Sequence, residues 1–305
     1  MPTLRKPYAL RPGATVGIAA PAFAVDPARV EAGAEWLRAA GYGVRLRDDL
    51  TACQGYLAGS DERRAAELSE LVADREVEAV VCARGGYGCH RIMPALDAGV
   101  FRRAAKSLAG YSDVTTLLLW QLRQAGLVGF HTAMFDGHGA PTDEELEALV
   151  AALSGKDAGA VRQGVPRGGG VGEGPLIGGS LTLLAASLGT PWEVETRGAL
   201  LLFEEIGEKP YAIDRLLQQL RAAGKLEQLA GVGVGHLTGC VDPKRDTPTA
   251  EEVIEEVFTP LGLPLVFGLP FGHAHPNLPW PMGVRGVLDG ERGELHILEA
   301  GVNPA

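Results

Sequence analysis

The chain has 305 residues, 46% hydrophobic and 22% charged, enough apolar material for a large buried core, so neither disorder nor a disulfide-stapled miniprotein describes it. At roughly 150 residues per domain, this length points to two domains or one large one. A net charge of −10 with no run of Lys or Arg offers no electrostatic footprint for nucleic acid or an anionic membrane.

The chain opens on Met1-Pro2-Thr3-Leu4-Arg5-Lys6, which is basic but is followed by no apolar stretch or small-residue cleavage site of a secretory signal. No run approaches the ~18 apolar residues of a membrane span, the nearest, Leu176–Leu188, being broken by Gly178, Gly179, Ser180 and Thr182. A cytosolic location is therefore expected. Thr15–Ala20 reads as a strand, and Asp26-Pro27 supplies an N-cap and a first-turn proline for a helix over Pro27–Ala40. Gly43–Arg47 reads as a strand, Asp61–Ala73 as a helix, and Ala79–Ala83 as a buried strand. Ser107–Gly110 and Val128–Phe130 are further short strands around a helix over Asp113–Ala125, and the capping box Thr142-Asp143-Glu144-Glu145 opens a helix to Leu153. Such alternation predicts a parallel sheet covered by helices on both faces.

The composition then breaks. Between Gly155 and Gly174, eight of twenty residues are glycine, which predicts a mobile linker and places the domain boundary after residue 154. From residue 175 the pattern gives a helix near Gly179–Leu188, a strand Ala199–Phe203, a helix Ala212–Ala223, a strand Leu229–Leu237 and a helix capped by Thr249 and Glu252. Short strands punctuated by Gly and Pro fill Pro264–Leu298, so the second domain is expected to be a less regular α+β or barrel-like unit.

Cys53, Cys82, Cys89 and Cys240 form no C-x-x-C pair, and Cys89-His90 has no second compact ligand pair, so the thiols read as structural and no metal is expected. The sharpest chemical feature is Gly110-Tyr111-Ser112-Asp113, where a buried strand runs through a tight turn into a helix. That turn resembles a nucleophile elbow, with the Asp113 N–H and the helix dipole available to a developing oxyanion. Val114 occupies the fifth position, so this is not G-x-S-x-G, and an N-capping serine would have the same signature. Arg84-Gly85-Gly86-Tyr87-Gly88 follows a buried strand at the edge where doubly wound sheets bind ligands, and a Gly85 or Gly86 N–H is a candidate second oxyanion donor. As a dinucleotide fingerprint it fails, because Arg91 stands where a third glycine belongs.

Further on, Glu204-Glu205 ends an apolar strand, and Gly272-His273-Ala274-His275 presents two histidines on a loop. His-x-His is half of a metal site but no third ligand is near, and His131, His138, His236 and His296 read as packing or surface residues. Ser112, His273 and Glu204 supply the nucleophile, base and acid of a hydrolytic triad.

Taken together, these segments and Gly17–Pro21, Leu57–Arg64, Gly174–Gly179 and Phe203–Arg215 resemble the LD-carboxypeptidase family of serine peptidases. The resemblance implies a flavodoxin-like N-terminal domain holding Ser112 and a β-rich, barrel-like C-terminal domain holding Glu204 and His273, with the site between them. It implies Ser112 as nucleophile, His273 as base and Glu204 as acid, with Glu205 beside it as a competitor for that role. It also implies cleavage of the L,D-amide that releases terminal D-Ala from a cell-wall tetrapeptide, with no cofactor. Arg84, Tyr87 and Tyr111 are the candidate substrate-binding residues. Two further departures from the family pattern are Ser180, where an asparagine is common, and His131-Thr132-Ala133-Met134 in place of His-Gly-Pro-Met.

Two other readings remain. Immunity-type members of the family cleave aminoacyl-nucleotide conjugates and are expected to carry aromatic residues in the pocket loop; Gly155–Gly174 has no Trp, Tyr or Phe, which favours the wall peptide. A non-catalytic nucleotide- or metabolite-binding module would use the same fold without Ser112 chemistry. The sequence leaves oligomeric state open, a homodimer included.

Overall fold

The computed structural model describes residues 4–244 and 247–304; of the basic N-terminal stretch, residues 1–3 lie outside the described residues. In the first half, β1 (Thr15–Ala19), β2 (Gly43–Arg45), β3 (Val77–Cys82), β4 (Ser107–Ala109) and β5 (Gly129–His131) pair in parallel in the order β2-β1-β3-β4-β5. This is the flavodoxin-like doubly wound order. Between and after the strands run α1 (Pro27–Ala39), α2 (Asp61–Ala73), α3 (Cys89–Ile92), α4 (Ala98–Ala104), α5 (Val114–Trp120) and α6 (Asp143–Leu153).

The capping chemistry acts as expected. The Asp26 carboxylate accepts from the Ala28 N–H, and Thr142 and Glu145 close a reciprocal box at α6; the structure adds a cap the sequence reading did not single out, the Ser60 hydroxyl accepting from the Arg63 N–H at α2. The helix expected over Asp113–Ala125 is regular only to Trp120, after which Gln121–Ala125 widens into a π-type turn ended by Gly126. Helices α3 and α4 fall where the sequence pattern gave no element, being too short to show a periodicity.

The second half contains β6 (Val161–Gln163), β7 (Val165–Gly168), β8 (Val171–Ser180), α7 (Leu181–Ala186), β9 (Leu200–Ile206), α8 (Pro210–Ala222), β10 (Gly231–Thr238), α9 (Ala250–Phe258), β11 (Leu265–Phe267), β12 (Trp280–Met282), β13 (Arg285–Asp289) and β14 (Glu294–Ile297). Eight of these strands form one sheet in the order β6-β14-β13-β8-β9-β10-β11-β7, parallel from β8 to β11 and antiparallel elsewhere. Its two terminal strands are separated in the chain only by Gly164. One continuous stretch thus pairs with β14 at one end and β11 at the other, and the sheet curls into a barrel-like unit.

This corrects the linker expectation. Gly155–Gly174 is not a mobile connection: it holds β6, β7 and the start of β8, the strands that close the barrel. A Cβ at Gly172 would lie 1.9 Å from the Ala230 carbonyl oxygen, so the backbones approach too closely for any side chain. Residues of that kind contribute no apolar alternation, which is why the segment imitates a linker. The helix expected from Gly179 begins at Leu181 for a related reason, since β8 continues to Ser180.

The halves are not separate beads. Strand β12 leaves the C-terminal half to pair antiparallel with β5, Trp280 opposite His131, as the sixth strand of the first sheet. Strand β9 lies mid-sheet with Leu200, Leu201, Leu202 and Phe203 all buried, the continuous apolar run expected of a parallel strand covered on both faces. Its last turn of chain carries the acids described next.

Candidate active site

Strand β4 delivers the chain to Gly110, Tyr111 and Ser112, and α5 begins two residues later. Ser112 sits at φ +60°, in the left-handed region that costs a non-glycine residue of order 1–2 kcal/mol. The turn is held from several sides. The Ser112 carbonyl accepts from the Thr115 N–H at 2.9 Å, and the buried Asp113 carboxylate accepts from the Cys89 N–H at 2.8 Å. Asp113 caps α5, so its N–H has no intrahelical acceptor. Gly85 packs directly over this turn: a Cβ there would stand 3.0 Å from Ser112 Oγ and 3.3 Å from the Asp113 nitrogen. Nucleophile, Asp113 N–H and the Gly85-Gly86 loop thus share one small space at the carboxyl ends of β3 and β4.

His273 comes from the barrel side. Its Nδ1 lies 2.6 Å from Glu204 Oε2, with Glu204 fully buried and His273 7% exposed. A carboxylate accepts, so Nδ1 carries the proton and Nε2 presents its lone pair. Gly272, at φ +114°, is required here because a Cβ would stand 2.8 Å from Glu204 Cβ. The loop is tied down further: Thr238 Oγ1 donates to the His273 carbonyl at 2.9 Å, and Gly272 N–H donates to Asn277 Oδ1 at 3.0 Å. From the other half of the molecule, Glu145 accepts from the Asn277 N–H and faces His275 Nδ1 at 2.9 Å.

Neighbouring residues on a strand point to opposite faces, which separates the two acids. Glu205 turns away from His273: its Oε2 accepts from the Thr182 N–H and hydroxyl, both at 2.7 Å, and its Oε1 from the Ile206 N–H at 2.9 Å. Burial pushes the Glu205 carboxyl above its ordinary pKa despite these bonds. Glu204 alone reaches the histidine. His273 and His275 face different carboxylates, and among the described residues no group of three His, Cys, Asp or Glu could hold a metal.

Ser112 and His273 line one cavity of about 280 Å³, together with Phe23, Arg84, Gly85, Gly86, Tyr111, Met134, Asp136, Gly137, His138 and Ile206. A larger hollow of about 430 Å³, near Arg11, Arg75 and Lys106 at the opposite end of β3, is lined by neither serine nor histidine among the described residues, so size does not locate the chemistry. Of the candidate substrate-binding residues, Arg84 and Tyr111 line the cavity. Tyr87 does not; its ring packs on Tyr56, which packs on Phe23. Burial pushes the Tyr111 hydroxyl up to about 12, and it accepts from the His138 N–H at 2.9 Å.

Sequence reasoning missed two residues. His138, read as packing or surface, lines the cavity with its ring 6.4 Å from that of His273. Asp136, 2% exposed, holds Arg84 and Arg29 at 3.0 and 3.1 Å. Neither belongs to a short motif, and only the fold brings residues 136–138 beside Arg84. His131 does pack: it is fully buried, stacked 5.1 Å from Trp280, and burial lowers its pKa to about 3. Ser180 joins the halves, its N–H donating to Thr115 Oγ1 at 3.1 Å. Contrary to expectation, the aromatic-free Gly155–Gly174 does not disfavour a nucleotide substrate, because that segment closes the barrel and contributes nothing to the cavity lining.

Residues 16–132 match the LD-carboxypeptidase N-terminal domain and residues 173–288 the LD-carboxypeptidase C-terminal domain. The chain is 37% identical to a Bacillus subtilis protein named "Probable murein peptide carboxypeptidase", covering 98% of this chain and 95% of that one. It is 34% identical to the murein tetrapeptide carboxypeptidase of Pseudomonas aeruginosa, covering 91% and 94%. Among solved structures, MccF in complex with glutamyl sulfamoyl guanosine superposes with a TM-score of 0.89 at 22% identity, covering 98% of this chain and 99% of that one, a likeness of fold.

Proposed function

Because this chain belongs to the LD-carboxypeptidase family, matched in both of its domains, we propose that it hydrolyses the L,D-amide bond that releases terminal D-Ala from a peptidoglycan tetrapeptide. The observation that carries the reading is the convergence in one cavity of Ser112, on a left-handed strand-to-helix turn, with His273 held by the buried Glu204.

In this reading Ser112 Oγ attacks the carbonyl that joins the L-centre to the terminal D-residue, and His273 Nε2 takes the hydroxyl proton. The Asp113 N–H and a Gly85 or Gly86 N–H bind the oxyanion, where pre-aimed backbone donors stabilise charge without reorganisation. His273 then protonates the leaving amine, D-Ala departs, and a water activated by the same imidazole releases the tripeptide from Ser112. Glu204 fixes the Nδ1–H tautomer and stabilises the imidazolium as it forms. A role in recycling wall fragments would place the enzyme in the cytosol. Among the described residues no helix is long and apolar enough to cross a membrane.

A second reading, hydrolysis of an aminoacyl-nucleotide conjugate, is favoured by the fold likeness to MccF and by the aromatic run Phe23, Tyr56, Tyr87 beside the cavity, which offers faces for base stacking. The names of the more similar relatives favour the wall peptide. A non-catalytic binding module would have no use for the buried Glu204–His273 pair. The test is a paired assay: D-Ala release from an L,D-linked tetrapeptide against cleavage of an aminoacyl sulfamoyl adenylate, with wild type and Ser112→Ala. Cleavage of the conjugate alone moves the protein to the second reading, and activity surviving in Ser112→Ala removes the mechanism.

A further inference from the structure

A carboxypeptidase must recognise a chain end. In the proposed substrate one residue follows the scissile carbonyl, so only three bonds separate that carbon from the terminal carboxylate carbon, a reach of no more than about 4 Å. Whatever marks the carboxylate has to stand in the cavity that holds Ser112. Apart from imidazoles, that cavity is lined by a single cationic side chain among the described residues, Arg84.

Its setting is that of a pre-aimed donor. Arg84 directly precedes Gly85, the residue packed over Ser112 Oγ. One edge of its guanidinium is anchored, Nη1 donating to the Ala24 carbonyl at 3.1 Å and to Asp136 Oδ2 at 3.0 Å. Asp136 is itself fixed by the Asp26 N–H at 2.8 Å and by Arg29 at 3.1 Å. Among the described residues Nη2 and Nε of Arg84 make no hydrogen bond, and the side chain is 38% exposed, so the free edge of the fork is open to a ligand. Asp26 and Asp136 balance Arg29 and Arg84. The loop therefore offers geometry rather than excess charge, and a planar fork of parallel N–H groups matches a carboxylate where a lone imidazole such as His138 does not.

We propose that Arg84, held by Asp136, binds the α-carboxylate of the terminal D-residue and so makes the site select chain ends. The inference rests on the carboxypeptidase reading and adds its specificity-determining residue. Since this contact is present in ground state and transition state alike, its loss raises KM more than it lowers kcat.

The test compares two substrates on each preparation: an L,D-linked tetrapeptide ending in free D-Ala, and the same peptide ending in D-alaninamide. Wild type is expected to prefer the free acid. In Arg84→Met the preference, expressed as a ratio of kcat/KM values, should fall by about 10- to 100-fold, the worth of a charge-assisted hydrogen bond, with Arg84→Lys intermediate. Because the ratio is taken within one preparation, partial misfolding cancels. An unchanged ratio in Arg84→Met, a wild type indifferent to amidation, or a preference lost in His138→Gln instead of Arg84→Met overturns the proposal while leaving D-Ala release in place. No release from either peptide by wild type removes the carboxypeptidase reading, and this inference with it.

Discussion

Replacing Glu204 with Gln isolates the acid of the triad, because among the described residues this carboxylate has one hydrogen-bond partner. Oε2 faces His273 Nδ1 at 2.6 Å, and Oε1 is buried with no hydrogen bond from a described residue. A glutamine has two ways to sit. With its oxygen toward Nδ1 it keeps the tautomer but loses the negative charge that stabilises the imidazolium. With its NH2 toward Nδ1 it forces the proton onto Nε2, which can then no longer accept from Ser112. Either outcome should lower kcat by about 10³- to 10⁴-fold, or about 4–5.5 kcal/mol of transition-state stabilisation. The protein should stay folded, since a neutral amide removes the desolvation cost of a buried charge. Glu205→Gln is the control. It disturbs the bonds to Thr182 and Ile206 and should cost roughly 1–3 kcal/mol of stability, seen as a lower Tm. Its kcat should stay within about fivefold of wild type. Steady-state D-Ala release and thermal melts of both variants decide the matter. Equal losses of kcat in the two, or a Glu204→Gln enzyme within tenfold of wild type, would refute the assignment.

Three further outcomes are expected. His131 has a folded pKa of about 3 against about 6.5 when unfolded, so its contribution is intact above pH 6.5 and is lost as pH falls toward 3, at up to about 1.4 kcal/mol per pH unit. Urea midpoints between pH 7 and 4.5 should fall less steeply in His131→Phe, and parallel slopes would count against it. Gly172→Ala, whose methyl would meet the Ala230 carbonyl at 1.9 Å, should lose more than about 3 kcal/mol in denaturant melts, whereas Gly189→Ala, at φ +77° in open space, should lose about 1. If the two glycines prove equivalent, close approach is not what the barrel needs. Finally, residues 1–154 expressed alone should bind a hydrophobic dye and unfold without a cooperative transition, because the edge of β5 is bare without β12; a sharp melt from that fragment would show the sheet to be self-sufficient.

Much of the first half was legible because its signals are local. Asp26 and Thr142 mark helix starts by chemistry that acts within three residues, and Ser112 stands out because a buried strand ends three residues before it and a helix begins two residues after. The barrel was not legible for the converse reason. Its closing strands are specified by what their glycines leave out, and the partner that forbids a side chain at Gly172 lies 58 positions on, at Ala230. His138 and Asp136 were hidden likewise, since their neighbours Arg84 and His273 are set by sheet order rather than by spacing. The choice between Glu204 and Glu205 needed only the two-residue period of a strand, together with knowledge of which face looks toward His273.

The crossing of β12 into the first sheet has a bearing on how the molecule is made. Synthesis delivers the nucleophile early, on a sheet that lacks its sixth strand until residue 282 has emerged. By then Glu204 and His273 are already out, His273 standing seven positions ahead of Trp280, the first residue of that strand. The last piece that orders the serine's own sheet therefore arrives after the base and acid, so a nascent chain carries Ser112 unarmed and competence comes in a single late step.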